Sequence, residues 1–185
     1  ETKTLLVVGI IAIIIVVGAI LLLQQTPTPP PLAQQQSVDT SGLQAYRNDE
    51  LDFETKYPKE WQVSESRSTG PEYAVFIQFR DPESDRGERR QINLHISDSP
   101  TSTLEEYVET YMVGRGYTLS SMEDSVIGGI PAKRVVTTGG DVPSESPYIS
   151  FLMLHMEKVY RWDGTDQDVL AKILSTFQFL DSVDT

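Results

Sequence analysis

Residues 148–179, YISFLMLHMEKVYRWDGTDQDVLAKILSTFQF, switch within one stretch from strand spacing to helix spacing. Tyr148 to Met156 and Lys158 to Trp162 are apolar and rich in aromatic and branched residues. A break at Glu157 predicts two strands joined as a hairpin. From about Asp166 to Phe177 the spacing changes, so that Val169, Leu170, Ile173, Leu174 and Phe177 fall on one side of a helix. Asp166 is the expected N-cap, and Asp168 in the first turn suits the helix dipole. Phe179 is expected to begin a short edge strand that closes the sheet. Strand, strand, helix and strand in this order predict an antiparallel sheet carrying packed helices, the α+β class.

The upstream residues repeat the pattern. Phe53, Thr55 and Tyr57 alternate with charged residues up to Pro58, and Trp61 and Val63 begin a further strand. Tyr73–Phe79 (YAVFIQF) and Gln91–Ser97 (QINLHIS) flank a charged loop, DPESDRGER. In QINLHIS, Ile92, Leu94 and Ile96 point one way, and Asn93 and His95 the other. Ser102 and Glu105 form a capping-box pattern ahead of Leu104, Tyr107, Val108, Tyr111 and Met112, which sit at helical spacing until Gly114 and Gly116. Gly128-Gly129 joins two strands, the second running from Ile130 to Thr137. No internal repeat is visible.

The N-terminal part of the 185-residue chain reads differently. Leu5–Leu23, LLVVGIIAIIIVVGAILLL, is an uninterrupted apolar run of 19 residues. As a helix it would span about 28 Å, close to the hydrocarbon core of a bilayer. It is expected to be an uncleaved signal anchor in the cytoplasmic membrane. Lys3 precedes the run and no Lys or Arg follows it before Arg47, which places the N-terminus inside. Gln24–Ser41, QQTPTPPPLAQQQSVDTS, is Pro- and Gln-rich and reads as an extended tether of up to about 55 Å. The expected organisation is residues 1–4 cytoplasmic, 5–23 spanning, 24–41 tether and 42–185 a folded extracytoplasmic domain. A second reading makes the chain a pilin-like subunit that assembles through the apolar helix.

Charge and composition exclude several functions. The chain has 15 Lys+Arg against 27 Asp+Glu, for a net −12. Lys3, Glu1 and Asp39 are the only charged side chains before Gly42, so the domain itself carries −11. That balance argues against nucleic acid, and against an anionic membrane surface, as the main partner. With no Cys, disulfides, thiol nucleophiles and thiolate zinc sites are excluded. No G-x-S-x-G or H-E-x-x-H occurs, and no catalytic residue or cofactor is expected. Of the two histidines, His95 is expected to be solvated and His155 to be packed near a strand end.

Two acidic loops could supply oxygen ligands to a hard cation such as calcium. One carries Asp163, Asp166 and Asp168, the other Asp81, Glu83 and Asp85. Tyr57 and Trp61 form a candidate aromatic binding surface. The remaining expected partners are the lipid bilayer, through Leu5–Leu23, and an envelope or membrane protein.

Three segments carry a family resemblance. Tyr46-Arg47-Asn48 followed by ELDFETKYPKEWQV resembles the opening of PsbP-like domains, with the turn Tyr57-Pro58-Lys59-Glu60-Trp61. GGIPAKRVV (Gly128–Val136) is similar to the family's Gly-x-Pro-Ala strand entry, and ILSTFQFLD (Ile173–Asp181) to its closing helix-to-strand segment. The three occur in matching order over Tyr46–Asp181. The resemblance implies an α/β/α sandwich around a central antiparallel sheet. It also implies a non-enzymatic role, since such domains in chloroplasts and cyanobacteria help assemble or stabilise the oxygen-evolving photosystem. A membrane span of its own and an acidic domain bring this chain nearer to the bacterial envelope members.

Overall fold

The structure, a computed structural model, describes residues 39–68, 75–86, 90–99, 101–139 and 147–180. Leu5–Leu23 and nearly all of the tether lie outside the described residues. Among those described, no helix is long and apolar enough to cross a membrane.

Strands β3 (Gln62–Arg67), β4 (Val75–Arg80), β5 (Gln91–Asp98), β6 (Tyr117–Ile127), β7 (Ile130–Gly139), β8 (Tyr148–His155) and β9 (Lys158–Gly164) make one sheet. Its order is β3-β4-β5-β9-β8-β7-β6, antiparallel throughout. Alternation along β5 is as the sequence predicts, with Ile92, Leu94 and Ile96 all fully buried. The register aligns Ile77, Leu94 and Trp162 in one row across β4, β5 and β9, so their side chains share a face. Trp162 stacks on Phe79 with ring centroids 6.0 Å apart.

A second, smaller sheet covers part of that face. It contains β1 (Leu43–Asn48), β2 (Phe53–Pro58) and β10 (Gln178–Phe179), in the order β1-β2-β10. Here the structure departs from the expectation of a single central sheet closed at its edge by Phe179. Phe179 instead pairs with Phe53 of β2. Phe53 is fully buried among Tyr46, Tyr160 and Phe177, and it is this aromatic packing that holds β2 above the large sheet.

Helix α2 (Gln167–Thr176) shares the layer, burying Val169, Leu170, Ile173 and Leu174 as predicted. The Thr55 hydroxyl donates to the Ile173 carbonyl at 2.8 Å, which lets a polar side chain occupy an inward position of β2.

The opposite face of the large sheet receives helix α1 (Leu104–Tyr107), which continues as a π-helical turn over Val108–Met112 and a 3-10 turn over Val113–Arg115. Leu104, Tyr107, Val108 and Met112 pack on Val135, Leu152 and Val159. The cap lies one residue later than the Ser102 pattern suggests. Thr103 is the N-cap, and its hydroxyl accepts from the Glu106 amide at 3.2 Å.

Two hairpins turn through paired residues of positive φ, as primed turns require. In the β6–β7 turn these are Gly128 (+57°) and Gly129 (+80°), as expected from the sequence. In the β8–β9 turn they are Met156 (+47°) and Glu157 (+59°), where non-glycine residues are uncommon.

Candidate functional site

A cleft of about 630 Å³ opens where the chain enters the domain, between the start of β1, the turn after β2, the loop after β4 and helix α2. Volumes of this order are typical of ligand pockets. Its apolar wall is Leu43, Pro58, Trp61 and Val169, and its charged lining is Asp39, Glu60, Asp81 and Glu83 against Arg90 and Lys172.

Local backbone geometry sets each part. Pro58 ends β2, and the Trp61 amide donates back to the Pro58 carbonyl at 3.0 Å, closing the Tyr57–Trp61 turn and tucking the indole inward. The Lys59 amide ties the same turn to the Gly42 carbonyl at 3.1 Å. Asp81 follows β4 and caps the 3-10 turn Pro82–Arg86, accepting from the Glu83 amide at 3.0 Å.

Arg90 joins the walls. Its Nη1 donates to Asp81 Oδ2 at 3.1 Å, and its Nε and Nη2 donate to Asp166 Oδ2 at 2.9 and 2.7 Å. Its guanidinium carbon lies 5.7 Å from the centre of the Trp61 ring, within cation–π range. Asp166 caps α2 with its other oxygen, accepting from the Val169 amide at 3.0 Å. Partial burial works to raise the Asp166 pKa. The Val169 amide and Arg90 outweigh it and hold the carboxyl below its usual range.

With Arg90 engaged by two carboxylates, Asp39, Glu60 and Glu83 have no ion-pair partner among the described residues. The Asp39 carboxyl is held low chiefly by the Ser41 amide. Lys172 makes no salt bridge among the described residues, though its charge also helps to lower the Asp39 pKa.

A second polar group lies on the α1 face of the large sheet. Asp163 is fully buried and accepts from Asn93 Nδ2 at 2.9 Å, with His95 Nε2 at 3.2 Å and Arg161 Nε at 3.4 Å. Burial works to raise the Asp163 pKa, but His95, Arg161 and Tyr148 together lower it. His95 goes down too, mainly because burial disfavours its charged form, and its imidazole faces the Asp163 carboxylate at 3.2 Å. His95 is not solvated as expected. Its side chain is 14% exposed and packs against Phe76 with ring centroids 4.8 Å apart, because this half of the sheet face is covered.

The predicted residues sort as follows. Asp163 faces the buried sheet cluster, Asp166 caps α2, and Asp168 is exposed in the first turn of α2. The structure does not bring these three together, and among the described residues no group of three or more His, Asp or Glu side chains is placed to hold a metal ion. Asp81 and Glu83 both line the cleft; the Asp85 side chain lies outside the described residues. Trp61 lines the cleft as well. Tyr57 packs on Phe79 at 5.2 Å. His155 is packed as predicted, stacking on Phe179 at 3.8 Å. Arg90, which organises the cleft, was not singled out in the sequence. The signal for it is register, since pairing Ile92 with Gly164 carries Arg90 to the level of Asp166.

Two antiparallel sheets with a helix on one outer face and a second helix beside the small sheet define an α+β sandwich domain. The chain belongs to the PsbP-like protein family, whose model matches residues 7–161. Its fold is similar to the solution structure of cyanobacterial PsbP (CyanoP) from Synechocystis sp. PCC 6803, with 19% identity and a TM-score of 0.51, covering 81% of this chain and 99% of that one. At that identity the likeness is one of fold. No curated protein matches the chain.

Proposed function

We propose that this protein is a non-catalytic binding or assembly module, anchored by Leu5–Leu23 and displayed on the outer face of the cytoplasmic membrane by the Gln24–Ser41 tether. The family match over residues 7–161 carries the reading, because the resemblance to PsbP-like domains implies an accessory role in assembling a membrane protein complex. The uninterrupted apolar run and the Pro-rich segment after it support the tethered arrangement. The chemistry of the domain agrees with it. His95 is buried with its pKa lowered, and Arg90, in the cleft, is engaged by two carboxylates rather than left to act on a substrate.

The test is extraction of native membranes followed by crosslinking of the full chain in place. The chain is expected to stay with the bilayer through alkaline washing, dissolve in mild detergent and crosslink to a membrane protein. Detergent-resistant filaments would instead establish the pilin-like arrangement. Recovery in the wash would remove the anchor.

A further inference from the structure

We infer that the cleft beside Trp61 is a docking site for a cationic segment, rich in Arg or Lys, of a partner protein. The inference rests on the reading of the domain as a binding module and names the chemistry of what it binds. Charge is the first argument. Four carboxylates meet two cations in the lining, and the network internal to the cleft consumes the Arg90 charge, with Asp81 and Asp166 both bonded to it. Glu60 and Glu83 are exposed and unpaired among the described residues, and Asp39 is offset only in part by Lys172, so the field presented to a ligand is negative.

Shape is the second argument. The cleft is concave, about 630 Å³, and one wall is apolar, with Leu43 half-buried and Trp61, Pro58 and Val169 buried behind it. A groove with an apolar wall and an acidic rim accepts the alkyl stem and charged head of an Arg or Lys side chain better than it accepts an anion. Arg90 already demonstrates that geometry from within, over Trp61 and against two carboxylates.

The third argument is rigidity. The Trp61 turn is closed by a backbone hydrogen bond, and the Asp81 turn and the α2 cap by backbone amides donating to the Asp81 and Asp166 carboxylates, so little ordering is left to oppose binding.

The test uses the full chain in detergent micelles and a fluorescein-labelled tetra-arginine peptide, with tetra-glutamate as control. Tetra-arginine is expected to bind, and more weakly as salt rises from about 0.05 M to about 0.5 M. Glu60→Gln with Glu83→Gln should weaken binding about fivefold or more, since each removes one rim charge pair. Both side chains are exposed and unpaired, so thermal melting should be unchanged. Glu109→Gln with Glu157→Gln removes two exposed acids outside the cleft lining and should change affinity by less than about twofold. Equal losses in the two double variants, or no binding of tetra-arginine at low salt, would overturn the inference. Capture of a membrane partner without tetra-arginine binding sinks only this inference. Tetra-arginine binding with no captured partner sinks the module reading and leaves the cleft's preference standing.

Discussion

Gly128 sits against Phe177: a Cβ on Gly128 would lie 2.6 Å from the Phe177 carbonyl oxygen. The tip of the β6–β7 hairpin thus touches the backbone where α2 gives way to β10, tying the far edge of the large sheet to the end of the domain.

Gly128→Ala should therefore cost about 2–4 kcal/mol, combining a positive-φ penalty of about 1–2 kcal/mol with displacement of the Phe177 backbone. Gly129→Ala, also at positive φ but with nothing within 4 Å of the added Cβ, should show only the first part. Chemical denaturation of the two variants makes the comparison, and equal losses would mean that the contact is not tight in solution.

Phe177 is 2% exposed and packs against Phe53, Trp162 and Phe179 with ring centroids 5.3, 5.6 and 5.1 Å away. Phe177→Ala should cost about 3–5 kcal/mol, a large part of the roughly 5–15 kcal/mol typical of a domain. Gln178→Ala, on the exposed side of β10, should cost less than about 1 kcal/mol. A neutral Phe177→Ala would contradict the packing of the small sheet on the large one.

Stability should fall on acidification from about pH 6.5. His95 has a folded pKa below its ordinary 6.5, so the unfolded chain binds the proton first. The stability it contributes is complete above 6.5 and is lost as the pH drops below that value. Asp163, Arg161 and Phe76 face it, and depression of the Asp163 pKa below 3.8 adds a second loss at lower pH. His155 is shifted the same way by burial, so His95→Gln should reduce, not abolish, the slope between pH 6.5 and 5. Urea midpoints across this range decide it, and a midpoint that rises on acidification would refute the assignment of His95 as a buried imidazole with a lowered pKa.

Arg90 and Asp166 should couple. Asp166→Asn keeps a capping oxygen but removes the charge, so a double-mutant cycle with Arg90→Ala isolates the ion pair. With the Arg90 side chain half exposed, the coupling should be about 0.5–1 kcal/mol. Arg90→Lys should recover only part of it, because one ammonium cannot reach Asp81, Asp166 and Trp61 with the same fork. Zero coupling would reduce Arg90 to a surface charge.

Some features were legible because they depend on neighbours in the chain. The inward row Ile92, Leu94 and Ile96 follows from period-two alternation, the apolar side of α2 from Val169, Leu170, Ile173 and Leu174, and the β6–β7 turn from two successive glycines. The end of β2 at Pro58 is legible for the same reason. Each is settled within a few residues by sterics and by which side chains water excludes.

The cleft was legible only in fragments. Trp61, Asp81, Glu83 and Asp166 each stood out, but separately, as an aromatic surface, as an acidic loop and as a helix cap. Their union runs through Arg90, which is nine residues from Asp81 and 76 from Asp166. Nothing local marks that arginine, since its partners arrive only when β5 pairs with β9.

The sequence by itself determined the elements of this domain, their order and their inward faces, because hydrophobic period, proline and glycine act over one or two turns of chain. Only the tertiary structure decided that β1, β2 and β10 form a separate small sheet, that His95 is buried against Asp163, and that Trp61 and Asp166 share one arginine. Those outcomes depend on strand pairing across as many as 126 residues, as between Phe53 and Phe179, and on which faces are finally covered. Such choices are made by the summed burial and hydrogen bonding of the whole domain, to which any one segment contributes too little to reveal them.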